Sequence, residues 1–151
     1  MTAEPTMVVL MTGGSRGIGR AMALRLAQAG AAVVLAAKTD QPHPRLAGTI
    51  HSVAAEIEAL GGQALPLKVD ARDEAQLVAA VQQTLQRFGR LDLLINNAGF
   101  LGLTPIEHTS TKAKQPVSGY GQSFFQINRA YVRNVMQVRQ AKYHPLMDAA
   151  P

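Results

Sequence analysis

An apolar run that ends in glycines and restarts as a helix constrains this chain more than any other feature. Met7-Val8-Val9-Leu10-Met11 has no polar residue, as expected of a strand buried on both faces. It runs directly into Thr12-Gly13-Gly14-Ser15-Arg16-Gly17-Ile18-Gly19. From Ile18 to Ala29 the chain is rich in Ala, Leu and Met, and Gly30 supplies a helix stop. A short glycine-dense turn lets backbone come close to a ligand. The helix that follows presents free N–H groups and a partial positive charge, a setting that suits a phosphate. Glycines also join strands to helices for packing alone, so that reading stands beside the phosphate one. The spacing is Gly-x-x-x-Gly-x-Gly rather than the Gly-x-Gly-x-x-Gly of other dinucleotide-binding chains.

The same alternation continues downstream. Ala32 to Ala37 reads as a second buried strand, and Lys38 to Gly48, with Pro42 and Pro44, as a loop. Thr49 can cap a helix whose apolar face is Ile50, Val53, Ala54, Ile57 and Leu60, ended by Gly61-Gly62. Ala64 to Val69 is a third strand. Asp73 can cap a helix with Leu77, Val78, Val81, Leu85 and Phe88 at helical spacing, stopped by Gly89. Leu91 to Ile95 is a fourth strand that enters Asn96-Asn97-Ala98-Gly99. Strands that alternate with helices imply an α/β chain with a doubly wound parallel sheet. Right-handed crossovers favour the strand order 3-2-1-4, with a ligand crevice between strands 1 and 4 where the winding reverses.

The charge excess of +5 raises the question of a nucleic-acid partner, and its distribution answers it. Residues 1–110 carry nine Lys/Arg and nine Asp/Glu, whereas residues 111–151 carry six Lys/Arg and one Asp. Five of the seven Phe and Tyr also lie after Ser110, and no aromatic–basic interleaving there marks a stacking surface. The shift divides the chain into a unit over residues 1–110 and a divergent, basic segment over 111–151, weakly helical from about Gln122 to Gln140. With 47% hydrophobic residues a disordered class is excluded. Absence of cysteine excludes disulfides and thiol chemistry. His43, His51, His108 and His144 lack metal-ligand spacing. With no signal peptide and no apolar run of membrane-spanning length, the expected setting is the cytoplasm, without a membrane partner.

Three segments together resemble one family. Thr12 to Gly19, Asp70 after the third strand, and Asn96-Asn97-Ala98-Gly99 after the fourth are similar to the short-chain dehydrogenases/reductases. Ala37 to Leu46, with Gly48-Thr49-Ile50, looks like a narrower hydroxysteroid dehydrogenase-like group within it. The resemblance covers about residues 7–110. It implies a Rossmann-type sheet, here truncated before a fifth strand. It also implies an NAD(P)-dependent oxidoreductase acting on a small carbonyl or hydroxyl substrate that the sequence does not identify. Gly13, Ser15, Arg16, Gly17, Ile18 and Gly19 would wrap the pyrophosphate and adenosine ribose. Asp70 would bond the adenine amino group, and Asn97, Ala98 and Gly99 would line the crevice beside the nicotinamide ribose. The simpler alternative for Asp70 is a turn carboxylate near Asp73.

Cofactor choice turns on the end of the second strand. An acid there would hold the 2′-hydroxyl of NAD and repel a 2′-phosphate. Ala36-Ala37-Lys38 stands there instead, with Arg16 brought near by the fold, so NADP is expected ahead of NAD. A solvated Lys38 with no ligand is the alternative.

The family's chemistry needs a Tyr-x-x-x-Lys pair, whose lysine lowers the tyrosine pKa for proton transfer. In this sequence Tyr120 is followed at the fourth position by Phe124, Tyr131 by Val135 and Tyr143 by Met147. Gln126-Ile127-Asn128 resembles the segment with the family's active-site asparagine, which makes Asn128 the candidate catalytic residue. Two readings therefore stay open: an oxidoreductase of which this is a fragment or a truncated or frame-disrupted product, and a non-catalytic nucleotide-binding module. An unpaired edge on the fourth strand would favour self-association.

Overall fold

In the computed structural model, which describes residues 3–98, all five residues of β1 (Val8–Thr12) are buried. So are all six residues of β2 (Ala32–Ala37). Two such strands cannot sit at a surface, and each face needs a helical cover. The chain supplies it in the order β1, α1 (Gly17–Gln28), β2, α2 (Ile50–Ala59), β3 (Gln63–Lys68), α3 (Glu74–Phe88), β4 (Leu93–Asn96). The four strands form one parallel sheet in the order β3-β2-β1-β4, as the crossover rules imply. Val9 pairs with Val33 on one side and Leu93 on the other, which makes β1 the centre of the winding.

Alternation along β1 and β2 divides the core in two. Val8, Leu10, Ala32, Val34 and Ala36 face α3, whose Leu77, Ala80 and Val81 are buried against them. Met11, Val33, Leu35 and Ala37 face α1 and α2. There α1 buries only small residues, Ala23 and Ala27, so its backbone approaches the sheet closely, while α2 fills the rest with Ile50, Val53 and Ile57. Each such large aliphatic side chain contributes on the order of 1.5–3 kcal/mol by leaving water.

Local chemistry fixes the helix ends. The Thr49 hydroxyl accepts from Ser52 N–H while the Ser52 hydroxyl accepts from Thr49 N–H, a reciprocal cap on α2. Asp73 accepts from the N–H groups of Ala75 and Gln76 at the start of α3. Gly89 stops that helix at φ 71°, a left-handed conformation that a side chain would oppose.

The strand boundaries differ from the hydrophobicity pattern by a residue or two. β1 extends to the hydroxyl-bearing Thr12, and β3 begins at the amide Gln63, because backbone pairing continues past the apolar run. β4 starts at Leu93 rather than Leu91 because the first rung is made differently. The Asp92 carboxylate accepts from Val8 N–H at 2.7 Å, and Asp92 N–H donates to the Val8 carbonyl. Leu60, at helical spacing with the buried face of α2, instead ends the helix and is 54% exposed. No helix among the described residues is long and apolar enough to cross a membrane. The boundary expected near residue 110 lies outside the described residues, as does the helical stretch expected over 122–140.

Candidate functional site

The chain leaves β1 at Thr12 and β4 at Asn96, side by side. Thr12 joins the two exits. Its hydroxyl accepts from the N–H groups of Asn97 and Ala98, 3.1 Å each, and donates to the Ile95 carbonyl at 3.4 Å. The Asn97 side-chain amide donates to the Gly13 carbonyl at 2.9 Å. Both turns are thus held in one arrangement by groups 83 to 86 positions apart in sequence.

The glycines explain themselves by what a side chain would meet. A Cβ on Gly19 would run into the Gly13 carbonyl oxygen and lie 2.6 Å from Asn97 Nδ2. Gly19 is therefore required where α1 passes beneath the turn. Gly17 is a different case. Its φ is +55°, which disfavours a side chain, yet a Cβ there would meet nothing within 4 Å. The turn is closed behind Gly19 and open outside Gly17. Arg16, the N-cap of α1, makes no side-chain cap bond, whereas α2 and α3 are both capped by side chains. The first N–H groups of α1 therefore lack the side-chain acceptor that α2 and α3 have at the cap.

Beside this turn lies a cleft of about 450 Å³ at the carboxyl ends of β1, β2 and β4. Of the residues expected from sequence, Gly13, Ser15, Arg16, Lys38, Asn97 and Ala98 line it. Gly17 and Ile18 are exposed next to it, with Ile18 at 74%, and Gly19 is buried below. Gly99 and Asn128 lie outside the described residues. Asp70 is not on the cleft lining. Its carboxylate, 25% exposed, is instead 2.9 Å from Lys38 Nζ, and Lys38 does line the cleft. Arg16 donates to the Thr39 hydroxyl at 2.9 Å, which holds its guanidinium at the end of β2.

The structure adds residues that the motif reading did not single out. Thr12 stands in the motif, but its bridging role depends on β4 lying alongside. Leu46, 49% exposed, and Thr39 also line the cleft. Their loop is held against the glycine turn where Gly48 packs on the Ser15 carbonyl, a contact any Cβ at Gly48 would break. Arg72 holds Asp70 from the far side. Its N–H and Nε donate to Oδ1, and its terminal nitrogen donates to Oδ2. The Arg72 side chain, opposed by partial burial and assisted by Lys38, keeps the Asp70 carboxyl well below the usual carboxylate range. Asp40, the acid nearest the end of β2, is paired with Lys68 at 3.0 Å and does not line the cleft.

A family model described as short chain dehydrogenase matches residues 7–142. Hydroxysteroid dehydrogenase-like protein 2 of Homo sapiens is 56% identical over 104 residues, which are 69% of this chain and 25% of that protein. The Danio rerio protein of the same name is equally similar, at 56% over 104 residues. This chain therefore spans about a quarter of the length of the curated relatives it matches. Among solved structures, a putative dehydrogenase from Xanthomonas campestris superposes with a TM-score of 0.83 at 40% identity, covering 89% of this chain and 50% of that one. A short chain dehydrogenase from Mycobacterium thermoresistibile gives 0.81 at 39% identity, covering 87% and 47%.

Proposed function

This chain belongs to the short-chain dehydrogenase family, and from that premise we propose that it holds NADP in preference to NAD, as the nucleotide-binding part of an oxidoreductase. The observation that carries the reading is the cleft itself. It is flanked by Arg16 and Lys38, and among the described residues none that lines it has a carboxylate. The open space outside Gly17 fits a pyrophosphate, and the cleft beyond it fits an adenosine whose 2′-phosphate meets the two cations. In this reading Gly13, Ser15, Arg16, Gly17, Ile18 and Gly19 carry the phosphates and adenosine ribose, and Asp70 lies at the adenine edge. Asn97, Ala98 and Gly99 lie on the nicotinamide side. A bound nicotinamide would supply the hydride acceptor or donor, and a carbonyl or alcohol would be its reaction partner.

Titration with the two dinucleotides tests this. A charge-assisted phosphate contact contributes on the order of 1.5–3 kcal/mol, so NADP should bind at least about tenfold more tightly. Lys38→Asp should reverse the order. Equal affinities, or a preference for NAD, would refute the proposal.

We also propose that this 151-residue chain binds the cofactor without turning it over, because no tyrosine in it has a lysine four positions on. Asn128 is the remaining catalytic candidate, and an asparagine cannot replace the tyrosine as proton donor. Cofactor oxidation by the purified chain at about 1 per second or faster would contradict this. Self-association is a further part of the proposal. Among the described residues the outer side of β4 pairs with no strand, and Leu93 on it is 39% exposed. Light scattering over a concentration series should show mass rising with concentration, and a constant monomer mass would remove that part.

A further inference from the structure

Lys38 cannot serve two anions equally. In the structure its ammonium is committed to Asp70, yet it is also the lysine that lines the cleft. A ligand phosphate in the cleft would compete with that carboxylate for the Lys38 ammonium. The cost of this depends on what else Asp70 holds. Asp70 Oδ1 accepts from the backbone N–H and Nε of Arg72, 3.0 Å each. Oδ2 accepts from the Arg72 terminal nitrogen at 2.8 Å and from Lys38 Nζ at 2.9 Å. Three of these four contacts come from Arg72 and survive the departure of Lys38.

We propose that Arg72 is a positioning residue for 2′-phosphate recognition: by holding the Asp70 carboxylate from outside the cleft, it releases Lys38 to turn inward. This rests on the NADP reading above and assigns it a further determinant. Without Arg72, one ammonium would face both a carboxylate and a phosphate, and the carboxylate would repel the phosphate as well. Lys38 is half exposed and on a flexible stem, so it is the partner able to move. Asp70 is not. Its N–H is accepted by Gln76 Oε1 at 2.8 Å, and Gln76 donates in turn to Asp73 at the α3 cap. The dominance of Arg72 over Lys38 in keeping the Asp70 carboxyl ionised agrees with this division of labour.

The test measures equilibrium binding of adenosine 2′,5′-bisphosphate and of 5′-AMP to the 151-residue chain and its variants. Arg72→Gln retains the backbone N–H to Asp70 and so leaves the turn in place. It should weaken bisphosphate binding about tenfold while AMP binding changes less than about twofold. In an Asp70→Asn background, Arg72→Gln should have no selective effect, because there is no carboxylate left to hold. Lys38→Gln should abolish the preference for the bisphosphate. If Lys38→Gln does so and Arg72→Gln does not, this inference fails while the NADP reading stands. A full effect of Arg72→Gln in the Asp70→Asn background would make Arg72 a direct phosphate contact and overturn the inference. A wild-type chain without preference for the bisphosphate, or a Lys38→Gln variant that keeps it, would remove both.

Discussion

Thr12 and Gly19 define the site more tightly than the residues that would touch a ligand. Thr12→Val keeps the shape but leaves the N–H groups of Asn97 and Ala98 without their acceptor. It should destabilise the chain by about 1–3 kcal/mol in urea denaturation. Gly19→Ala forces a methyl group against the Gly13 carbonyl and the Asn97 amide and should cost a similar ~1–3 kcal/mol through overpacking. Gly17→Ala meets open space, so its loss should be confined to about 1–2 kcal/mol of left-handed strain, with nucleotide affinity falling more than stability. Asp70 adds a pH dependence. Its folded-state carboxyl is held low, chiefly by Arg72, so the unfolded chain takes up a proton first as the solution is acidified. The stabilisation is complete above the ordinary carboxylate range and is lost as pH falls below about 4. The gap between the urea midpoints of wild type and Asp70→Asn should therefore begin to narrow as pH is lowered from 5 to about 3, and narrow further below it. A gap that stays constant would show that Asp70 is not the group responsible. At this scale the glycine turn was legible because its spacing is local, and Asp70 was singled out by resemblance. The bridging role of Thr12 and the hold of Arg72 on Asp70 were not legible, because their partners are set by β4 and by the fold of the turn after β3.

Helices were legible to within a residue because their ends depend on adjacent side chains. Thr49 and Asp73 stand as caps where the sequence placed them, and Gly89 stops α3 in the left-handed conformation. Asp73→Ala should lower stability by about 1 kcal/mol, and Thr49→Ala should do the same by breaking both halves of a reciprocal cap. Thermal melts of the two variants check this, and an unchanged melting temperature would show that tertiary packing alone sets those helix starts. Strands were less legible. Hydropathy marks where side chains are buried, whereas strand length follows backbone pairing. Asp92 shows the difference: it is charged and exposed, yet its carboxylate makes the rung at Val8. Pro66 lacks a donor, and β3 accommodates it because it has one strand neighbour among the described residues, so the missing N–H can face outward.

The whole sheet was readable because its topology follows from rules of connection rather than from any one residue. Alternating strands and helices with right-handed crossovers leave few orders, of which 3-2-1-4 is the one formed, and that order puts the reversal at β1 and β4. Those rules left the binding half of the crevice unformed until its two lips were joined by Thr12 and Asn97. That joining governs time as well as shape. A chain emerging from the ribosome completes β1, α1 and the glycine turn long before residues 92–98 exist, and β4 is the last of the seven described elements to appear. Until β4 docks, the Gly13 carbonyl has no amide from Asn97, and the turn is held from one side only. The proposed nucleotide affinity would then be a property of the finished sheet and not of its early intermediates. A ligand that binds only the final state prolongs its lifetime and does nothing to hasten its arrival. In stopped-flow measurements, saturating nucleotide should slow unfolding and leave the refolding rate unchanged, and faster refolding would mean that the turn matures before β4 docks.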